Sequence, residues 1–141
     1  MIAVDTNVLV YAHREDMEQH DRGLQAVTAL AEGNEPWGIP VFVITEFLRV
    51  VTHRRVFPIP SSQSQATAAV QALLESPTAQ LLQPGPRFWP LLTQTLEDGD
   101  ARGDLVLDAA IAAVCREHGA GTILTADRDF RRFSAITVRP L

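Results

Sequence analysis

Four acidic segments carry the chemistry that this sequence can offer. Asp5 follows Ile2-Ala3-Val4, and Glu46 lies within Val43-Ile44-Thr45-Glu46-Phe47. Asp108 lies within Leu105-Val106-Leu107-Asp108-Ala109-Ala110, and Asp127 and Asp129 lie within Thr125-Ala126-Asp127-Arg128-Asp129-Phe130. An ionised carboxylate among Val, Ile and Leu is costly unless something compensates it. If the four segments converge, the like charges either hold on to protons or recruit a cation. A hard divalent cation with oxygen ligands is the natural answer, and Mg²⁺ or Mn²⁺ suits all-carboxylate coordination. A metal so held can activate water, orient a phosphate and stabilise the attacking and leaving oxygens of a phosphodiester cleavage.

Each acid also has a plain structural reading. Asp5 at a strand end can cap the next helix. Glu46 can pair with Arg49 or Arg55 on a helix surface. Asp108 in the first turn of a helix suits the helix dipole wherever it points. Asp104 reads as the N-cap of that helix rather than as a ligand. Asp127 and Asp129 can serve as turn acids before the Phe130–Phe133 segment.

The elements that must position these groups follow from periodicity and punctuation. Ile2–Val4 is short, apolar and β-branched, and reads as a buried strand with an acid at its carboxyl end. A helix can start near Asn7. Asp21–Glu32 has helical apolar spacing and stops at Gly33-Asn34. Pro36 and Pro40 bracket a connector. Val41–Val51 reads as a helix, and a further one begins at Ser61-Ser62 and runs through Leu74. Gln80–Gln83 suits a short strand and Arg87–Leu96 a helix. Residues 98–104 form an acidic, glycine-containing loop. The next helix runs to about His118 and closes at Gly119. Thr122–Thr125 is a second buried strand that leads to an acid, Asp127, and Ile136–Val138 a last strand.

Strands alternating with helices predict an α/β domain with a mainly parallel central sheet of about four or five strands. In such sheets ligands sit beyond the carboxyl ends of the strands, where Asp5 and Asp127 lie.

Composition sets the bounds. The 141 residues are 46% hydrophobic and 21% charged, which fits one compact unit spanning 1–141 rather than a disordered chain. One cysteine, Cys115, excludes an intrachain disulfide and thiolate-rich zinc sites; its Ala-rich helical setting makes it a small core residue. No signal peptide or membrane span is legible, so the cytoplasm is the default location. A net charge of −5 argues against a broad basic surface for nucleic acid. All twelve basic residues are arginine. A coding bias explains that, while the runs Arg54-Arg55 and Arg128–Arg132 keep phosphate recognition open. The four histidines show no metal-binding spacing, and neither a P-loop nor a G-x-S-x-G is present. Trp37, Phe88 and Trp89 read as core or interface residues.

The ordered motifs IAVDTNVLVYA, ITEFLRVVTHRRVF, GDLVLDAAIAAVCREHGAGTILTADRDFRRF and VRPL resemble the PIN-domain family, and within it the toxin half of bacterial VapBC-type toxin–antitoxin pairs. The resemblance spans nearly the whole chain. It implies a three-layer α/β/α domain that cuts RNA endonucleolytically with Mg²⁺, Mn²⁺ being an alternative. It implies Asp5, Asp108 and Asp127 as metal ligands, and Glu46 as a ligand or the group that orients the attacking water. Asp129 would be a helper, and Thr6, Asn7 and Thr125 polar supports. The family usually carries asparagine near position 104, so Asp104 departs from the pattern. The resemblance further implies a homodimer, and a VapB-type antitoxin whose inserted segment sets an arginine against the carboxylates. Arg14, Arg49 and Arg128 are candidates to steer the RNA backbone. An alternative reading is a catalytically silent module of the same fold that binds RNA or protein; a nuclease acting on DNA is disfavoured by the absence of a DNA-gripping insertion.

Overall fold

The computed structural model describes residues 1–141. Five strands form one parallel sheet: β1 (Ile2–Val4), β2 (Trp37–Pro40), β3 (Ala79–Leu82), β4 (Thr122–Thr125) and β5 (Thr137–Pro140), in the order β3-β2-β1-β4-β5. Six helices connect them: α1 (Thr6–His13), α2 (His20–Glu32), α3 (Val41–Val51), α4 (Gln63–Leu74), α5 (Phe88–Asp98) and α6 (Leu105–Glu117). A short 3₁₀ turn, Asp129–Arg132, precedes β5.

The strand order defines where a site can form. The chain winds outward from β1 to β2 and β3, then returns to place β4 on the other side of β1. The segments leaving β1 and β4, helix α1 and the 3₁₀ turn, therefore diverge and open a crevice at the carboxyl ends of these two strands, the switch point of an open α/β sheet. The central strands are buried on both faces, β2 at every position, as expected of a parallel sheet covered by helices on either side. One apolar cluster of 26 buried residues, including Trp37, Phe47, Ile111, Phe130 and Phe133, packs around the sheet.

Two expectations change. The connector between Pro36 and Pro40 is a strand, β2, paired with both β1 and β3. Glycine and proline hide it, because both are depleted in strands. The tertiary setting reverses this for each. A Cβ on Gly38 would lie 2.6 Å from Leu82 Cδ1, so the glycine makes room for the buried Leu82 side chain. Pro40 ends the strand, beyond the last residue of β2 paired with β1.

Asp104 stands at the N-cap position of α6 but its side chain caps nothing. Its backbone is already helical (φ −62°, ψ −26°), and a tight turn from Arg102 and Gly103 leads into the helix. The carboxylate is therefore not poised over the first amides. The true capping box is at α4, where Ser62 and Gln65 exchange side-chain and backbone hydrogen bonds. Gly119, at φ +73°, closes α6 as its position suggests.

Candidate active site

The crevice at the switch point is a cleft of about 230 Å³ lined by Asp5, Glu46, Asp108 and Asp127, together with Thr6, Asn7, Val10, Tyr11 and Val50. All four acids singled out from the sequence meet in it. Larger hollows exist elsewhere, one of about 610 Å³ beside α2 and another of about 760 Å³ between His13 and Ala69, but neither collects acids in this way.

Asp5 is the anchor, and only 5% of its surface is exposed. It does cap α1: its Oδ1 accepts from the Thr6 backbone N–H at 2.7 Å. Its other oxygen, Oδ2, accepts from Thr125 Oγ1 at 2.6 Å and from Asn7 Nδ2 at 2.9 Å. Asn7 in turn donates to Thr125 Oγ1 at 3.1 Å and accepts from the Ala126 amide at 3.1 Å. Thr125 Oγ1 also accepts from the Asp127 amide at 2.9 Å. The ends of β1 and β4 are thus tied together by a D-T-N segment and one threonine. Burial pushes the Asp5 carboxyl up to about 6; the hydrogen bonds from Thr125 and Thr6 oppose this, and the Glu46 and Asp127 charges add to it.

Glu46 lies midway along α3 and accepts a hydrogen bond from Thr6 Oγ1 at 2.9 Å. It forms no ion pair with Arg49 or Arg55, so that structural reading fails and the carboxylate stays turned to the cleft.

Asp108 differs from Asp5. It makes no side-chain hydrogen bond, yet it is pushed up to about 7, by burial first and then by the charges of Asp5, Asp127, Asp129 and Glu46. Carboxylate oxygens of Asp108, Asp127 and Asp129 all lie within 4.8 Å of one another. Asp129 is exposed and outside the lining of the cleft, so its part in this cluster comes from the turn: its amide donates to Asp127 Oδ1 at 2.9 Å, which folds the two acids together. Asp129, expected as a helper, thus stands with Asp108 and Asp127 in one acidic grouping, while Asp5 shares the cleft with Asp108 and Asp127.

A divalent cation suits this donor set. The oxygens are hard, the group is half-buried to exposed, and no cation of the chain neutralises it. Burial first, and the neighbouring carboxylates with it, make the charged form of Asp108 costly, a cost that a proton relieves at low pH and a metal would relieve at neutral pH.

Of the arginines considered for steering, Arg14 is committed to structure. It bonds Asp16 through Nε and Nη2, reaches Ser61 and the Ile59 carbonyl, and stacks 4.1 Å over the Phe57 ring. Arg49 and Arg128 are exposed. Among the aromatics, Trp37 is fully buried, whereas Trp89 is 68% exposed and is no core residue. Cys115 is buried, and burial pushes its thiol up to about 12, which removes it from nucleophilic chemistry.

A parallel sheet in this order, with acids gathered at its switch point, defines the class. The PIN domain model matches residues 2–136, and the chain belongs to the PIN domain family. Its relatives sharpen the placement. VapC ribonuclease Mb2897 of Mycobacterium bovis is 46% identical over 139 residues, covering 99% of this chain and 94% of the relative. Ribonuclease VapC25 of Mycobacterium tuberculosis is 38% identical over 141 residues, covering 99% of each. Among solved structures, Mycobacterium tuberculosis VapC20, a sarcin–ricin loop cleaving toxin, aligns with a TM-score of 0.69 at 19% identity, over 97% of this chain and 99% of that one. VapBC2 from Rickettsia felis, bound to a promoter DNA fragment, aligns with the same score and identity over 100% of this chain and 99% of that one.

Proposed function

We propose that residues 1–141 act as one domain, a divalent-metal-dependent endoribonuclease that is the toxin of a toxin–antitoxin pair. The observation that carries the chemistry is the convergence of Asp5, Glu46, Asp108 and Asp127 on one cleft, with Asp129 beside it. The relatives named as VapC ribonucleases, matched over nearly their full length, support RNA as the substrate.

Asp5, Asp108 and Asp127 would hold Mg²⁺, or Mn²⁺, with Asp129 beside them. Bound there, the metal supplies an activated water and neutralises charge on the phosphate. The chain's own residues do the rest. Thr125, Asn7 and the Thr6 amide fix the orientation of Asp5 and hold it ionised against its burial. Glu46, steadied by Thr6, is placed to orient the attacking water or accept its proton. Tyr11, Val10 and Val50 form the less polar walls.

An antitoxin of the VapB type is the proposed partner, and an arginine inserted among the carboxylates would inhibit by taking the place of the metal. Assembly as a homodimer belongs to the same proposal. So does a cytoplasmic setting; no helix is long and apolar enough to cross a membrane.

The test uses partner-free protein, total cellular RNA, and Mg²⁺ or EDTA. Asp108→Asn is the cleaner variant, because Asp108 has no hydrogen bond to lose, whereas an amide at position 5 sets a donor against the donors that surround Asp5. Discrete fragments from the wild type with Mg²⁺ alone, and none from Asp108→Asn, are expected. Cleavage by Asp108→Asn at the wild-type rate, or wild-type cleavage undiminished by EDTA, would sink the mechanism. RNA binding that is indifferent to Mg²⁺ and never followed by cutting would favour the silent binding module.

A further inference from the structure

Beside the acidic cleft lies a pocket of about 420 Å³ whose lining includes Arg22, Arg128, Arg131, Gln19, Tyr11 and Asp127. Tyr11 and Asp127 line both hollows, so the two adjoin. Three of the twelve arginines of a chain with net charge −5 therefore meet at one place, next to the site where a strand is proposed to be cut.

The turn after β4 creates this division of charge. Arg128 precedes the 3₁₀ turn and Arg131 lies three residues on. Residues three apart eclipse one another in such a turn, so both guanidiniums leave on one side. Asp129 lies instead with Asp108 in the acidic cluster, and Asp127, which belongs to that cluster, stands at the boundary between the two hollows. Arg132 is directed elsewhere and donates to the Gly99 carbonyl at 3.0 Å. Arg22 reaches across from α2 and donates to the Leu141 main-chain oxygen. Arg128 and Arg131 form no ion pair, although Asp127 and Asp129 flank Arg128 in sequence. Two unpaired guanidiniums, and a third bonded to the Leu141 main-chain oxygen, outnumber the one carboxylate side chain of the hollow, Asp127, and phosphate is the oxyanion that such forks fit bidentately.

Resting on the ribonuclease reading, we propose that Arg22, Arg128 and Arg131 form a subsite for a backbone phosphate of the RNA strand that runs through the acidic cleft. The subsite supplies the attraction that a ring of carboxylates denies to a polyanion. Its place beside the cleft, with Tyr11 and Asp127 shared, favours a nucleic-acid backbone that passes both over an acidic peptide. All three arginines are exposed, so truncating them removes no core.

The experiment measures fluorescence anisotropy of a labelled, mixed-sequence single-stranded RNA across a KCl series. It uses Asp108→Asn protein so that the probe is not cut. Adding Arg128→Ala and Arg131→Ala is expected to weaken binding by roughly tenfold at low salt and to lower the slope of log Kd against log[KCl] by about 0.7, the contribution of one phosphate contact on a single strand. Arg132→Ala, which removes a charge from the same turn but lines no part of the pocket, is expected to leave the slope unchanged. An unaltered slope in the double variant, or an equal change per charge in Arg132→Ala, overturns the subsite. So does an equal loss of affinity for poly-glutamate, which would make the pocket a peptide site. Wild-type cleavage in Mg²⁺ is scored separately. Protein that never cuts, yet loses the slope with the arginines, keeps the subsite and sinks the nuclease; active nuclease with an indifferent slope does the reverse.

Discussion

Asp5 and Asp108 face the same cleft, yet their surroundings are opposite. Asp5 is almost fully buried and receives three hydrogen bonds, from Thr6, Asn7 and Thr125. Asp108 is half-buried, has none, and shares its space with Asp127 and Asp129. One carboxylate is satisfied by the protein and so fixed in place. The other is left in electrostatic deficit, with its proton affinity raised to about 7. A metal centre needs both conditions: a rigid ligand that sets position, and unsatisfied charge that makes the cation bind.

The largest effect expected from this contrast is on Asp108. Asp108→Asn should lower Mg²⁺-dependent RNA cleavage at least about a hundredfold while the protein stays folded, since only a charge is removed and no hydrogen bond. Cleavage rate and thermal unfolding of the same preparation check this. A variant that unfolds would show that Asp108 is structural after all.

Thr125→Val probes the satisfied half. It deletes the donor to Asp5 Oδ2 and the acceptor for the Asp127 amide, both near the buried floor of the site. We expect a loss of about 1–3 kcal/mol in urea unfolding and a fall of roughly tenfold to a hundredfold in activity. Unchanged stability would mean that the network around Asp5 is replaceable.

The deficit should also appear as pH dependence of the metal-free protein. The carboxyls of Asp5 and Asp108 titrate near 6 and 7 in the folded chain, against an ordinary value of 3.8. Between about pH 4 and 7 the folded state therefore keeps protons that the unfolded chain has released. Stability is then greatest below that window and falls as pH rises through it. With Asp108 discounted for its exposure, a decline on the order of 2 kcal/mol from pH 5 to 8 is expected. Asp108→Asn should flatten the decline, and Mg²⁺ should reverse it at pH 8. Stability that rises over this range without metal would contradict the cost of burying these two charges beside other acids.

Asp104→Ala marks the low end of the scale. The side chain is exposed, caps nothing, and lies outside the cluster and the cleft. A change in Tm equivalent to less than about 0.5 kcal/mol is expected. A larger loss would restore its capping role.

Legibility in the sequence followed how local each signal was. Helix α3 appears at Val41–Val51 and β4 at Thr122–Thr125, where apolar periodicity alone defines the element. The strand at Trp37–Pro40 was lost because its glycine and proline are explained only by contacts with Leu82 and the start of α3. Asp104 looked like a cap by residue type, and the helical backbone at that position removed the role. The convergence of the four acids was foreseeable, because each sits at an element end or on an otherwise apolar segment. The closeness of Asp129 to Asp108 was not, since it depends on how the turn after β4 folds back.

By itself the sequence determined the alternation of strands and helices, the parallel sheet, and which acids stand at the ends of its elements. These depend on propensity, period and the cost of burying charge, all of which act over a few residues. Only the tertiary structure decided which acid is satisfied and which is left strained, and that Arg14 is locked to Asp16 and Ser61 while Arg128 and Arg131 are free. Those outcomes rest on how the elements fold together; for Asp5 and Thr125, 120 residues apart, the distance is set by strand order and register rather than by anything either residue carries alone.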